Sequence, residues 1–269
     1  MAARKNLFDL SGKVALVTGG GSGLGRVFCE ALAEAGAKVS CGDLQEEGAK
    51  ETIQILRSKG GEGIALHADV TKLGDVKSMV DQTVEQLGGL DIAVNNAGIC
   101  TKGARIHEMP VEDWDRLMAV SLRGVFLCMR EELGVMLRQH SGCIINISSI
   151  LGLVALEHEL AVPVNYITAK HGIIGLTRQA AVEYACDGIR VNAIAPGFHL
   201  GTHLGDEMLT GATEEEAKKF VEGLNRWTPM KRTGDPDELK GVILYLASDE
   251  ASSFLTGQVI ASDGGWTAW

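Results

Sequence analysis

Short, uninterrupted apolar runs alternate along this chain with longer stretches in which apolar residues recur every three or four positions. Val14-Ala15-Leu16-Val17 is the first run, and an apolar, partly β-branched run without polar alternation predicts a strand buried on both faces of a parallel sheet. Lys38 to Gly42, Ile64 to Ala68, Leu90 to Val94, Gly142 to Ile147 and Ile189 to Ala195 predict five more strands. Between them, helical periodicity covers Arg26 to Ala35, Gln45 to Lys59, Leu73 to Leu87 and about Val111 to Arg138. A further helix bears Tyr166, runs to Cys186 and is closed by Gly188. Strand and helix in repeated alternation predict an α/β fold, a doubly wound parallel sheet with helices on both faces.

No Pro-rich or polar low-complexity run interrupts the 269 residues, so the expectation is a single domain spanning 1–269. Lys plus Arg number 25 against 35 Asp plus Glu, a formal net charge of −10 that argues against nucleic acid or an anionic membrane as partner. The six cysteines are scattered, with no C-x-x-C pair and no zinc-ligand spacing, and read as free thiols in a reducing compartment. No apolar stretch reaches membrane-spanning length and no signal-peptide core follows Met1, which predicts a soluble, cytoplasmic protein.

The first strand stops at Thr18-Gly19-Gly20-Gly21-Ser22-Gly23-Leu24-Gly25. Strand, glycine loop and helix in that order form an anion site: absent Cβ atoms let backbone N–H groups approach a pyrophosphate, and the helix N-terminus adds partial positive charge. A P-loop would continue Gly-Lys-Ser/Thr, whereas Gly25 is followed by Arg26-Val27, which tells against ATP or GTP chemistry. The spacing G-x-x-x-G-x-G differs from the usual dinucleotide fingerprint as well, and a glycine turn without a ligand fits these residues too. Asp43 ends the second strand, where a carboxylate can accept from an adenosine ribose diol and repel a 2′-phosphate, favouring NAD over NADP. It can also serve simply as a charge at the start of the next helix. Asn95-Asn96-Ala97-Gly98 closes the fourth strand with small and amide residues suited to close approach of a ligand.

Tyr166 and Lys170 stand four apart, on one face if helical. A phenol titrates near pH ~10 in water, and a neighbouring ammonium stabilises its anion. Taken together with Thr18-Gly19-x-x-x-Gly23-x-Gly25, Asp43, Asp69, Asn95-Asn96-Ala97-Gly98, Ser149 and Pro196-Gly197, this pair makes the chain resemble the classical short-chain dehydrogenase/reductase family over nearly its whole length. Thr256 to Ile260 and Asp263-Gly264-Gly265 resemble that family's last strand. The resemblance implies a Rossmann-like NAD-binding domain and a common homotetramer. It implies that Tyr166 is the general acid/base, that Ser149 donates to the substrate carbonyl oxygen, and that Lys170 holds the nicotinamide ribose and lowers the Tyr166 pKa. It also implies cofactor contacts from Gly19, Ser22, Gly23, Leu24 and Gly25, from Asp43, Leu44, Asp69 and Val70, and from Asn96, Gly98, Pro196, Gly197 and Thr202.

Three features depart from the family pattern. Ser121, in Val120-Ser121-Leu122-Arg123-Gly124-Val125-Phe126, takes the place of an Asn that supports a water-linked proton relay, and its shorter side chain is expected not to free the same backbone geometry. The interval from Ser149 to Tyr166 is long, placing Glu157, His158 and Glu159 over the substrate side. Thr202 follows Pro196-Gly197 one residue late. A lid is expected at about 198–230, with a capping box at Thr213-x-x-Glu216. His199 and His203 lack a third metal ligand, so no metal is expected. The Trp266 to Trp269 tail is apolar enough to suggest burial against another subunit. These features point to an NAD(H)-dependent oxidoreductase interconverting a secondary alcohol and a ketone, with sugars or polyols suggested by the Asp-Gly-Gly-Trp ending and short side chains around the site. The alternatives are an NADPH-dependent 3-oxoacyl-thioester reductase and a catalytically inactive nucleotide-binding scaffold.

Overall fold

A computed structural model describes residues 6–156, 163–200 and 213–268. Seven parallel strands form one sheet: β1 Val14–Thr18, β2 Lys38–Asp43, β3 Gly63–His67, β4 Ile92–Asn95, β5 Gly142–Ile147, β6 Ile189–Pro196 and β7 Val259–Ser262, in the order β3-β2-β1-β4-β5-β6-β7. The helices are α1 Gly23–Glu34, α2 Glu46–Ser58, α3 Leu73–Leu87, α4 Val111–Met118, α5 Gly124–Gln139, α6 Val164–Tyr184, α7 Glu214–Trp227 and α8 Lys240–Ala247. This is the Rossmann-like doubly wound arrangement that the alternation predicts.

The period of the strand sorts β1 between two cores. Ala15 and Val17 pack with Phe28 and Leu32 of α1, Ile53 of α2 and Ile243 of α8. Leu16 points the other way, to Val76 and Met79 of α3, Met136 of α5 and Ile173 of α6. Both sheet faces are therefore covered, which is why the strands read as continuous apolar runs. Each fully buried Leu, Ile or Phe stabilises the fold by about 1.5–3 kcal/mol.

Chain order reverses between β1 and β4, so the loops after their ends, Thr18 and Asn95, diverge and open a crevice at the sheet's C-terminal edge. One expectation needs correction. The helix foreseen from about Val111 to Arg138 is interrupted by a π-helical turn, Ala119–Arg123, with Ser121 inside it. The extra residue in that turn re-aims the α4 side of the helix, as such bulges do at functional sites.

Candidate active site

The crevice is a cavity of about 450 Å³ running from the glycine loop to Tyr166. Gly19 holds the loop in a left-handed conformation, φ +64°, and a Cβ on Gly25 would lie 2.0 Å from the Gly19 carbonyl oxygen. Gly25 thus lets α1 close on the loop and shapes the cavity from behind its lining. Ser22, at the N-cap of α1, makes no side-chain cap, and the first turn carries no acidic residue. The exposed N–H groups and helix dipole therefore fit a pyrophosphate.

Asp43 Oδ2 accepts from Gly21 N at 2.8 Å and Oδ1 from Gln45 N at 2.8 Å. Each carboxylate oxygen retains acceptor capacity toward the cavity. Arg26, the cation nearest the loop in sequence, is engaged by the Gly21 carbonyl, Thr52 and Glu51. Lys170 is the only lysine or arginine among the described lining residues. Leu44, Asp69 and Val70 line the adenosine side next to Asp43. Asn96 lines the cavity but spends its amide on the Thr18 and Gly19 carbonyls, both at 3.1 Å, stitching β4 to the glycine loop.

The reactive cluster gathers at the ends of β5 and β6. The two adjacent serines after β5 both line the cavity but are engaged differently: Ser148 donates to the Lys170 carbonyl at 2.9 Å, while Ser149 Oγ accepts from Leu151 N at 3.1 Å. Ser149 is therefore both a cap for the short turn Ile150–Gly152 and a hydroxyl with a proton to donate. Lys170 Nζ donates to the Ile147 carbonyl at 2.8 Å and lies 5.4 Å from the Tyr166 ring centre, which leaves two N–H donors for a bound molecule.

Burial sets the electrostatics of the Tyr166–Lys170 pair. Burial raises the phenol above its ordinary range, and only the hydrogen bond with Ser149 opposes it. Burial also pushes the Lys170 ammonium down to about 8. The cause is geometric: the ammonium is directed at the Ile147 carbonyl while the phenol sits in an apolar cluster with Leu117, Ile150 and Trp266. Tyr166 is accordingly protonated at neutral pH and disposed to donate.

Ser121 does not line the cavity. Its hydroxyl accepts from Ile99 N at 3.2 Å and donates to Ile99 O at 3.4 Å, pinning the loop after β4 from behind. The freed backbone geometry that a shorter side chain was expected to forfeit is present as the π turn. Asn165, unremarked in the sequence, is fully buried and donates to Thr101 and to the Asp113 carbonyl at 3.1 Å each, while accepting from Tyr166 N at 2.8 Å. It fixes the start of α6, and with it the phenol. Its adjacency to Tyr166 was the only sequence signal.

Pro196, Gly197, Phe198 and His199 line the opposite wall, with the His199 ring hydrogen-bonded to Gly197 O at 3.1 Å. No metal-binding group of His, Cys, Asp or Glu occurs among the described residues. Thr202, His203, Glu157, His158 and Glu159 lie outside the described residues, as does part of the expected lid. Its described helix, α7, does open on the Thr213–Glu216 capping box. Trp266 is buried within its own chain, its ring 5.0 Å from Phe198, while Trp269 of the same tail lies outside the described residues. The side chains beside Tyr166 are larger than the short ones expected.

Parallel sheet, glycine loop at the switch point and buried Tyr166–Lys170 pair define a nicotinamide-dinucleotide oxidoreductase. A family model described as enoyl-(acyl carrier protein) reductase matches residues 19–267. The chain is 39% identical to cis-4-hydroxycyclohexanecarboxylate dehydrogenase of Sinomonas cyclohexanicum, over 95% of this chain and 97% of that protein. It is 38% identical to a 3-oxoacyl-[acyl-carrier-protein] reductase of Thermotoga maritima, over 95% and 98%. A short-chain dehydrogenase/reductase structure from Mycobacterium marinum superposes with a TM-score of 0.90 at 36% identity, covering 98% of each chain. The protein belongs to the short-chain dehydrogenase/reductase family, whose cofactor is NAD or NADP.

Proposed function

We propose that the protein is an NAD(H)-dependent oxidoreductase that interconverts a secondary alcohol and its ketone. The observation that carries the cofactor choice is Asp43, whose carboxylate stands at the cavity wall with no lysine or arginine beside it among the described lining residues. A 2′-phosphate there would meet a like charge without a counter-ion, whereas a ribose diol would donate to it. When bound, the dinucleotide accepts or supplies the hydride. Tyr166 transfers the proton at the substrate oxygen, Ser149 donates to the same oxygen and stabilises charge there, and Lys170 uses its remaining donors on the ribose.

Asp43 also tells against the 3-oxoacyl-thioester reading, which goes with NADPH, and the intact Ser149, Tyr166 and Lys170 tell against an inactive scaffold. A homotetramer is supported by an apolar concavity on α5 and α6, where Leu122, Phe126 and Leu176 face outward and Phe126 is half exposed. Six free thiols support a cytoplasmic setting, and the net charge of −10 supports small-molecule rather than nucleic-acid or membrane partners. The test is kcat/KM for NAD+ against NADP+ on a panel of secondary alcohols, with Asp43→Ser beside the wild type. NAD+ is expected to be preferred at least about tenfold, with Asp43→Ser losing that preference. A wild-type preference for NADP+ overturns the assignment.

A further inference from the structure

Five side chains both line the cavity and pack with Tyr166 in one apolar cluster: Ile99, Cys100, Ile150, Leu151 and Phe198. Phe198 is set edge-on to Trp266, with an interplanar angle of 61°, and Leu117 and Leu224 belong to the same cluster. The carboxylates that line the cavity, Asp43 and Asp69, belong to β2 and the loop after β3, at least three strands away from β5 and Ser149. Near the phenol, the ionisable lining groups are Lys170, held by the Ile147 carbonyl, His199, bonded to Gly197 O, and the Cys100 thiol, which acts on both Tyr166 and Lys170. The described wall therefore offers one paired polar address, the hydroxyls of Ser149 and Tyr166, beside a face made mainly of apolar side chains.

We infer that the substrate is an apolar cyclic secondary alcohol, or the corresponding ketone, an assignment that rests on the oxidoreductase reading above. Ser149 and Tyr166 address a single oxygen. A further hydroxyl set against the side chains of Ile99, Ile150, Leu151 or Phe198 meets no side-chain partner there, at a cost of roughly tenfold to a hundredfold in kcat/KM. A ring suits the site better than an open chain of equal carbon number, because it loses no internal rotation on burial and presents a broad face to Phe198.

The test compares compounds of matched skeleton with NAD+ and with NADP+: cyclohexanol, cis-cyclohexane-1,2-diol, myo-inositol, hexan-2-ol and sorbitol, read by absorbance of the reduced nicotinamide. Cyclohexanol is expected to exceed myo-inositol at least a hundredfold in kcat/KM and hexan-2-ol several-fold, with the diol intermediate. Cyclohexanol, and not myo-inositol, is also expected to raise the melting temperature of the cofactor-bound protein. Equal or better turnover of myo-inositol, sorbitol or hexan-2-ol overturns the substrate assignment while leaving the oxidoreductase reading standing. Absence of turnover across the panel with both cofactors overturns the oxidoreductase reading and this assignment with it. In Phe198→Ser the ratio of cyclohexanol to myo-inositol is expected to fall at least tenfold, with NADH binding retained as the check on folding. An unchanged ratio in a variant that binds NADH refutes the apolar wall as its source.

Discussion

Glu132 is a carboxyl with no part in the proposed chemistry, yet it governs how stability varies with pH. It sits on α5, 1% exposed, and accepts from Asn95 Nδ2 at 3.0 Å; Asn95 in turn donates to Asn146, which donates to Thr177. Glu132 Oε1 and Asn95 Oδ1 have no hydrogen-bond partner. Burial raises the Glu132 pKa from 4.5 to about 8, against the smaller opposing effect of the Asn95 hydrogen bond. The folded protein thus keeps a proton that the unfolded chain releases across that window. For a carboxyl raised in this way, the stability of the neutral form is fully present below pH ~4.5 and declines by about 1.4 kcal/mol per pH unit up to the folded pKa. Glu132→Gln keeps the shape, cannot ionise, and places a donor where one of two facing oxygens stood. The variant is expected to match the wild type within about 1 kcal/mol near pH 5 and to exceed it by about 3 kcal/mol at pH 7. Urea unfolding of both proteins at pH 5.5 and pH 8.0 checks this, since every other titrating group is common to the pair and cancels in the difference. Parallel pH dependence in the two proteins, or a variant less stable than wild type at pH 8.0, would show that Glu132 does not titrate as its burial dictates.

Two further substitutions address the reaction. Tyr166→Phe is expected to lower kcat by at least about a thousandfold while NADH affinity changes little, because only the transferable proton is lost; steady-state rates and fluorescence titration of NADH check it, and retention of most of the wild-type kcat refutes the assignment. Ser121→Asn is expected to change kcat by less than about tenfold, since the π turn and the Ile99 contacts already exist with serine and a bridging water serves nearly as well as a direct contact. A hundredfold gain would instead identify the wild type as a protein that has lost turnover.

The apolar runs and the helical spacing between them determined the strand order of use, the two covered faces and the glycine-loop crevice, because each of those follows from periods of two and 3.6 residues and from glycine's steric freedom, all local properties. Asp43 at a strand end and the Tyr166–Lys170 spacing were legible locally, whereas Ser149 and the roles of Tyr166 and Lys170 came from the resemblance to the family. Tertiary structure alone decided which of two neighbours does what. Glu131 and Glu132 are adjacent and chemically identical, yet the packing of α5 on the sheet leaves one against Arg130 at the surface and buries the other beside Asn95. Ser148 and Ser149, just past β5, are likewise divided by their partners, the Lys170 carbonyl for one and Leu151 N for the other. The pairing of Phe198 with Trp266, the Asn165 clamp on the loop at Thr101 and the high pKa of Tyr166 join residues far apart in the chain, and their strength comes from the exclusion of water. Desolvation is a property of the packed whole: the apolar cluster around Tyr166 raises the phenol, and no spacing in the sequence announces that.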